Sequence, residues 1–191
     1  MCSTRPMKCS DLFKINKCNL DPLVETYNIG FYLEYLTRWP MLCQVIENMH
    51  GQIEGYILAK TEASPFPPNP SPYDPKTCRN PNYLPWHGHV TALTVAPEFR
   101  RQGHARTLTA ALERACEREN CWFVDLFVRV DNHTAIAMYR KMGYTVYRRV
   151  VGYYNDDTDA FDMRKPLSRD KDKLHIRKDG EEFRVEPSDV W

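Results

Sequence analysis

The segment from residue 63 to residue 85 restricts the fold more than any other, because it contains eight of the chain's 14 prolines. Proline has no backbone N–H and a fixed φ, so this segment cannot form an α-helix or a central β-strand. We predict that it is a surface loop inserted into a domain. Regular structure must therefore come from the residues before 63 and after 85.

Hydrophobic periodicity on both sides of this loop predicts alternating strands and helices. The strands are predicted at 41–49, 52–62, 88–95, 122–130, 144–154 and 160–167, and the helices from Ser10 and at 30–39, 104–119 and 132–142. Strands separated by helices indicate an α/β fold with a mixed sheet. A chain of 191 residues corresponds to one domain, which we place at 1–167, followed by a charged C-terminal tail at 168–191.

Charge and cysteine content argue against several classes of protein. The 26 Lys and Arg nearly balance the 25 Asp and Glu, and a net charge of +1 does not favour direct nucleic-acid binding. The N-terminus lacks the apolar run of a signal peptide, and no stretch approaches the roughly 20 apolar residues that cross a membrane. The seven cysteines include no C-x-x-C pair, so we expect reduced thiols in a cytoplasmic protein and no metal site.

The segment from Val95 to Arg106 has the features of an anion-binding turn. A strand ends, a short polar turn follows, and a helix begins just after Gly103. Glycine lets the backbone approach a ligand closely, and the free N–H groups at a helix start favour an anion. Arg100, Arg101 and Arg106 add positive charge. Taken alone, the same residues also fit an ordinary basic turn closed by a glycine.

The context of this turn resembles a known enzyme superfamily. The pattern R-x-x-G-x-A between a strand and an amphipathic helix is similar to the acetyl-CoA signature of the GNAT acetyltransferases, and the segment from Asn132 to Tyr144 is similar to their N-x-x-A-x-x-x-Y-x-x-x-G-[FY] segment. The resemblance implies the GNAT fold, with about seven strands in a mixed central sheet and about four flanking helices. The acetyl-CoA contacts that it implies are Leu93, Thr94, Val95, Arg100, Arg101, Gln102, Gly103, His104, Ala105, Arg106, Asn132 and Tyr139.

Further segments resemble the catalytic subunits of NatB N-terminal acetyltransferases. They are Leu20-Asp21-Pro22-Leu23, Trp86-His87-Gly88-His89 and Gly152-Tyr153-Tyr154. This resemblance implies an acyltransferase that acetylates the α-amine of nascent chains beginning Met-Asp, Met-Glu, Met-Asn or Met-Gln. It also implies a large helical-repeat auxiliary subunit, through which the enzyme reaches the ribosome. The predicted contact surface for that subunit draws on Leu12, Phe13, Ile15, Phe31, Tyr32 and Leu36.

Under this resemblance the catalytic residues are His89 and Tyr139. The amine attacks the thioester directly, so no cysteine nucleophile is needed. An α-amine has a pKa of about 7.7 to 8.0, so modest help from a histidine base suffices, and His89 could give it directly or through a water. Tyr139 could donate a hydrogen bond to the departing CoA sulfur. The residues themselves also allow His87 and His89 to satisfy backbone groups, and Tyr139 to pack in the core.

The substrate contacts implied by the resemblance come from segments on both sides of the insertion. They are Leu23, Glu25, Tyr27, His89, Thr91, Tyr153 and Tyr154. An apolar residue such as Leu23 would receive the Met side chain, while donors such as His89 and Thr91 would bind the acidic or amide side chain that follows. Two other hypotheses remain open: a GNAT enzyme acting on a lysine or a small-molecule amine, and a non-catalytic binding subunit of the same fold.

Overall fold

The computed structural model describes residues 2–20, 24–80 and 82–190. Among these residues, eight strands and three α-helices alternate along the chain. The strands are β1 (Cys2–Pro6), β2 (Gln44–Asn48), β3 (Ile53–Glu62), β4 (His87–Val95), β5 (Phe123–Arg129), β6 (Thr145–Val150), β7 (Ala160–Pro166) and β8 (Arg184–Val185), and the helices are α1 (Ile29–Arg38), α2 (His104–Arg118) and α3 (His133–Lys141). Both antiparallel and parallel strand pairs occur, which confirms the predicted mixed α/β fold.

Three differences from the sequence-based expectation concern short elements. The predicted elements do not include β1 and β8, because strands of five and two residues carry little apolar alternation. The helix predicted from Ser10 is a 3-10 helix, Cys9–Phe13. The Asp11 carboxylate accepts a hydrogen bond of 2.8 Å from the backbone N–H of Lys8 and so caps the start of this helix. The strand predicted to reach residue 154 ends at Val150, because the chain turns at Gly152 with a φ of +58°.

The first of two compact units comprises the described residues of Met1–Lys60 and Val90–Ala115. Here β1, β2 and β3 form an antiparallel ladder. The buried core of this unit consists of Met7, Ile15, Cys18, Tyr32, Tyr35, Cys43, Val45, Ile53, Tyr56, Leu58 and Ala96. The Thr94 hydroxyl donates to the Cys18 carbonyl at 2.8 Å, and the Ala96 N–H donates to the Glu54 carbonyl at 2.9 Å. These two bonds hold the end of β4, and so the start of the predicted anion-binding turn.

The second compact unit comprises the described residues of Thr61–His89 and Cys116–Trp191. Its strands lie in the order β5-β7-β6-β8, with β8 parallel to β6. The proline-rich segment 63–85 forms no helix or strand in the part that the structure describes, as predicted. Tyr73 anchors that segment to the unit, since its hydroxyl lies 3.0 Å from His175 Nε2 and its ring packs edge-on against Trp122. Residues after 167 belong to the same unit, where Val190 is buried.

The glycine between the two histidines of β4 is required by packing. A Cβ on Gly88 would collide with the sulfur of Cys116, which is fully buried like a small apolar side chain. All seven cysteines are free thiols. No helix in the described parts of the chain combines the length and the apolar character that a membrane span needs.

Candidate active site

The second unit contains a buried pair formed by His89 of β4 and Asp125 of β5. His89 Nδ1 lies 2.8 Å from Asp125 Oδ1. Burial by itself disfavours the carboxylate, but the neighbouring side chains of His87 and His89, the hydrogen bond from His89 and the Arg164 guanidinium outweigh it and hold the pKa of Asp125 below its ordinary range. Asp125 is therefore ionised at neutral pH, and it orients the His89 ring.

The partner of Nδ1 determines which nitrogen of His89 is available for chemistry. An ionised carboxylate only accepts hydrogen bonds, so the Nδ1–H of His89 must be the donor. A neutral imidazole carries one proton, so Nε2 keeps its lone pair. This arrangement is suited to accepting a proton at Nε2 while Asp125 stabilises the resulting imidazolium.

His87 is in a different environment although it is only two residues away. Its Nδ1 lies 2.7 Å from the Pro85 carbonyl, its Nε2 is 3.6 Å from Asp125 Oδ2, and its ring stacks on Phe123. The side chain is 1% exposed, and burial lowers its pKa, which favours the neutral form. His89, at 9% exposed, is the more accessible of the two rings.

Aromatic side chains of the same unit surround the His89 pair. The Phe127 ring lies 5.7 Å from that of His89, and Tyr153 stacks on Phe127 with 4.9 Å between ring centroids. Tyr154 packs edge-on against Tyr153. The predicted substrate residues Tyr153 and Tyr154 thus belong to one aromatic cluster with Phe127 and His89, although they lie beyond β6 and not within it.

The helix α3 carries the predicted cofactor residues Asn132 and Tyr139. The Asn132 side chain accepts from the Ala135 N–H at 3.1 Å, so it caps the helix. Tyr139 is buried and packs edge-on against Tyr144 with ring centroids 5.6 Å apart. Burial raises the pKa of Tyr139, so its hydroxyl stays protonated at neutral pH and can donate a hydrogen bond.

The first unit contains the predicted anion-binding turn. Gly103 has a φ of +87°, and a Cβ built on it would meet nothing within 4 Å, so its surface is open. The side chains around it are exposed, namely Arg100, Arg101, Gln102 and Arg106. Arg101 also has a positive φ, of +65°. The space beside Gly103, the helix start that follows it and the cationic side chains on either side are suited to binding a phosphate group.

The remaining predicted cofactor residues differ in what their side chains can contact. The His104 side chain is buried and lies 2.7 Å from Glu54, so only its backbone N–H is directed to the turn. Thr94 is also buried, with its hydroxyl bonded to the Cys18 carbonyl, whereas Leu93, Val95 and Ala105 are half-buried.

Two tyrosine contacts position the predicted substrate residues of the first unit. The Thr91 hydroxyl lies 2.8 Å from that of Tyr35, and the Tyr27 hydroxyl donates to the Glu25 carboxylate at 3.1 Å. Tyr27 also stacks on Phe31, with ring centroids 4.2 Å apart. The predicted substrate residue Leu23 lies outside the described residues.

Sequence reasoning assigned no role to Asp125, Phe127 or Tyr35. Asp125 is the only charged residue among the inner five of Phe123-Val124-Asp125-Leu126-Phe127-Val128-Arg129, where a carboxylate is costly unless it is paired. That signal points to a partner, but only the fold identifies it as His89.

The sequence profile of the Acetyltransferase (GNAT) family matches residues 12–144, so the chain is an acetyltransferase of GNAT type by class. The crystal structure of Chaetomium thermophilum Naa20 in complex with a bisubstrate analogue superposes with a TM-score of 0.89, at 51% identity, over 99% of both chains.

Curated relatives define the class more narrowly. The N-terminal acetyltransferase B complex catalytic subunit naa20 of Schizosaccharomyces pombe is 48% identical over 100% of this chain and 99% of its own length. N-alpha-acetyltransferase 20 of Dictyostelium discoideum is 47% identical over 92% of each. The chain therefore belongs to the GNAT acetyltransferase family and, within it, to the N-terminal acetyltransferases of the NatB catalytic-subunit type.

Proposed function

We propose that this chain transfers the acetyl group of acetyl-CoA to the α-amine of nascent chains beginning Met-Asp, Met-Glu, Met-Asn or Met-Gln, in the cytoplasm. The observation that carries the mechanism is the hydrogen bond of 2.8 Å between His89 Nδ1 and Asp125 Oδ1. It leaves His89 Nε2 as the proton acceptor for the substrate ammonium group, directly or through a water.

The turn around Gly103 supports binding of the phosphates of acetyl-CoA. Its open glycine surface and the exposed side chains of Arg100, Arg101 and Arg106 suit a ligand that carries several negative charges. When bound, acetyl-CoA supplies the activated thioester, which the free amine attacks without an acyl-enzyme. Two solved NatB structures, one bound to a bisubstrate inhibitor and one to CoA, support this choice of cosubstrate.

The role assigned to Tyr139 is to donate a hydrogen bond to the CoA sulfur as it departs. Because its pKa is raised by burial, its hydroxyl keeps the proton that a hydrogen bond to a departing thiolate requires. Asn132 holds the start of the same helix, so its contribution to the cofactor site includes positioning α3.

Substrate selection is assigned to hydrogen-bond donors and aromatic surfaces. The hydroxyls of Thr91, Tyr153 and Tyr154 supply donors for a carboxylate or amide at the second position, because the Nδ1–H of His89 already donates to Asp125. A leucine there would leave such donors unpaired, which lowers kcat/KM. The aromatic stack of Phe127 and Tyr153 supplies apolar surface for the peptide backbone.

A helical-repeat auxiliary subunit is the proposed partner, and it would bring the enzyme to the ribosome. In the first unit Ile15 and Tyr32 are buried, whereas Leu12, Phe31 and Leu36 are half-buried. The exposed apolar side chains near the start of the chain, which an interface would cover, are Phe13, Leu20, Ile29 and Leu33.

A peptide panel tests this assignment. Acetyl-CoA would be mixed with the chain, alone and with a NatB auxiliary subunit, and with peptides beginning Met-Asp, Met-Leu and Ser-Glu. We expect the Met-Asp peptide to have the highest kcat/KM. Equal rates on all three, or transfer to a lysine of a peptide whose N-terminus is blocked, would contradict it. No transfer in either form would favour a non-catalytic subunit.

A further inference from the structure

We propose that Cys2, Glu54 and His104 form a binding site for a divalent transition-metal ion, with Zn²⁺ the best match. The residues come from β1, from β3 and from the first turn of α2, all within the first compact unit. Their three ligand atoms lie within 4.8 Å of one another. Two ligands at about 2.0 to 2.3 Å from one zinc ion are at most about 4.6 Å apart, so the cluster is close to coordination distance.

The strand ladder arranges the carboxylate for this role. Cys2 lies opposite Asn48 in the β1–β2 pair, and the Asn48 side-chain amide donates to Glu54 Oε1 at 3.0 Å. The other oxygen, Oε2, lies 3.2 Å from the Cys2 sulfur and 2.7 Å from His104 Nε2. One oxygen of Glu54 is therefore held by the protein, while the second faces the thiol and the imidazole.

The imidazole of His104 supplies the observation that points to a ligand. Its Nε2 lies 2.7 Å from Glu54 Oε2, an ion-pair distance, but no hydrogen bond of good geometry joins this nitrogen to an acceptor among the described residues. The side chain is 7% exposed, so bulk water does not satisfy it. A buried imidazole nitrogen that lies near a carboxylate oxygen and a thiol, with no well-formed hydrogen bond of its own, is available as a metal ligand.

The three donor atoms also indicate which ion would bind. When an ion displaces the proton of the Cys2 thiol, the thiolate and the Glu54 carboxylate together carry two negative charges, which a divalent cation neutralises. Sulfur and imidazole ligands favour Zn²⁺ over Mg²⁺ or Ca²⁺, which prefer oxygen. Cys2 is exposed, so the fourth position faces solvent and can take a water.

The sequence-based expectation of no metal site rested on the absence of C-x-x-C spacing. Ligands at positions 2, 54 and 104 have no recognisable spacing, and only the strand ladder and the start of α2 bring them together. A bound ion would link β1 and β3 to the residue directly after Gly103, and would so support the turn assigned to acetyl-CoA.

Cobalt titration tests the site without using catalysis. Co²⁺ would be added to the full-length reduced protein in the absence of acetyl-CoA, with absorption recorded from the near ultraviolet to the visible range. We expect one equivalent to bind with a thiolate-to-cobalt charge-transfer band, and one equivalent of Zn²⁺ to abolish that band. Absence of the band would overturn the proposal.

Two variants and a matched control locate the ion. Cys2→Ser changes an exposed side chain, and it should remove the band and weaken Zn²⁺ binding at least tenfold in calorimetry. His104→Leu, which replaces the imidazole by an apolar group, should weaken binding similarly. Cys9→Ser removes another exposed thiol and should leave the band unchanged. A band that survives Cys2→Ser, or disappears with Cys9→Ser, would place the ion elsewhere and refute the assignment.

Discussion

The predicted anion-binding turn and the His89–Asp125 pair present their functional groups in opposite ways. The turn consists of exposed backbone around Gly103, with exposed arginine side chains beside it. The pair consists of buried side chains from two strands, joined by one hydrogen bond. A backbone site tolerates changes in most of its side chains, whereas a side-chain site depends on each partner. Substitutions in the two regions should therefore differ in their effects on turnover and on cofactor binding.

Replacing the proposed base should have the largest effect. His89→Ala removes the proton acceptor, and we expect kcat to fall by about 10² to 10⁴-fold at neutral pH. Because the turn lies in other residues, the KM for acetyl-CoA should change little. Steady-state kinetics with a Met-Asp peptide measure both, and unchanged turnover would remove His89 from the mechanism.

Loss of the charge behind His89 should lower the rate by less than loss of the base itself. Asp125→Asn keeps a hydrogen-bond acceptor but removes the anion that stabilises the imidazolium formed when His89 takes up a proton. We therefore expect kcat with a Met-Asp peptide to fall, and the KM for acetyl-CoA to change little. The control is Asp170→Asn, since Asp170 is also buried and bonded to a histidine, His175, at 2.8 Å. An equal loss of kcat in both variants would show that loss of a buried carboxylate, and not the support of His89, is the cause.

Substitution of the turn glycine should affect binding and spare the chemical step. Gly103→Val places a β-branched side chain at a φ of +87°, which distorts the turn, and we expect the KM for acetyl-CoA to rise about tenfold, or about 1.4 kcal/mol. Gly51→Val is a matched control, because Gly51 has a φ of +73° at the β2–β3 turn and also has space for a Cβ. If both variants raised KM equally, backbone strain and not phosphate contact would be the cause.

The smallest expected effect is a dependence of stability on pH through buried histidines. Burial lowers the pKa of His87 and of His175 in the folded state, so the unfolded chain binds more protons once the pH falls through the ordinary histidine value near 6.5. Each such proton costs about 1.4 kcal/mol per pH unit. The Tm should therefore fall by a few degrees between pH 7 and pH 5.

A variant checks which histidine is responsible. His87→Gln cannot take up a proton, so its Tm should depend less on pH than that of the unmodified chain, even if its value at pH 7 is lower. Thermal unfolding followed by circular dichroism at several pH values gives both slopes. Parallel slopes would show that His87 does not contribute.

Much of the fold can be predicted from short stretches of sequence, because helical periodicity and proline content depend only on neighbouring residues. The bounds of α1 and α2 agree with prediction to within one residue, since apolar residues repeat with the helical period and Pro40 limits α1. The proline-rich loop could be predicted because prolines lack the backbone N–H groups that helices and central strands need. By contrast, β1 and β8 owe their existence to pairing with β2 and β6, and such partners are not visible in a short segment.

The candidate site likewise has one part that can be predicted from neighbouring residues and another that depends on distant ones. The local sequence is enough to predict the anion-binding turn, since a glycine with free φ before a helix start needs no distant partner. By contrast, the contacts between distant residues come from the tertiary fold: it brings Asp125 to His89, puts the Phe127 ring against those of His89 and Tyr153, and gathers Cys2, Glu54 and His104. Hydrogen bonds and metal coordination act over about 3 Å, and residues tens of positions apart reach that distance only when the strands that carry them have paired.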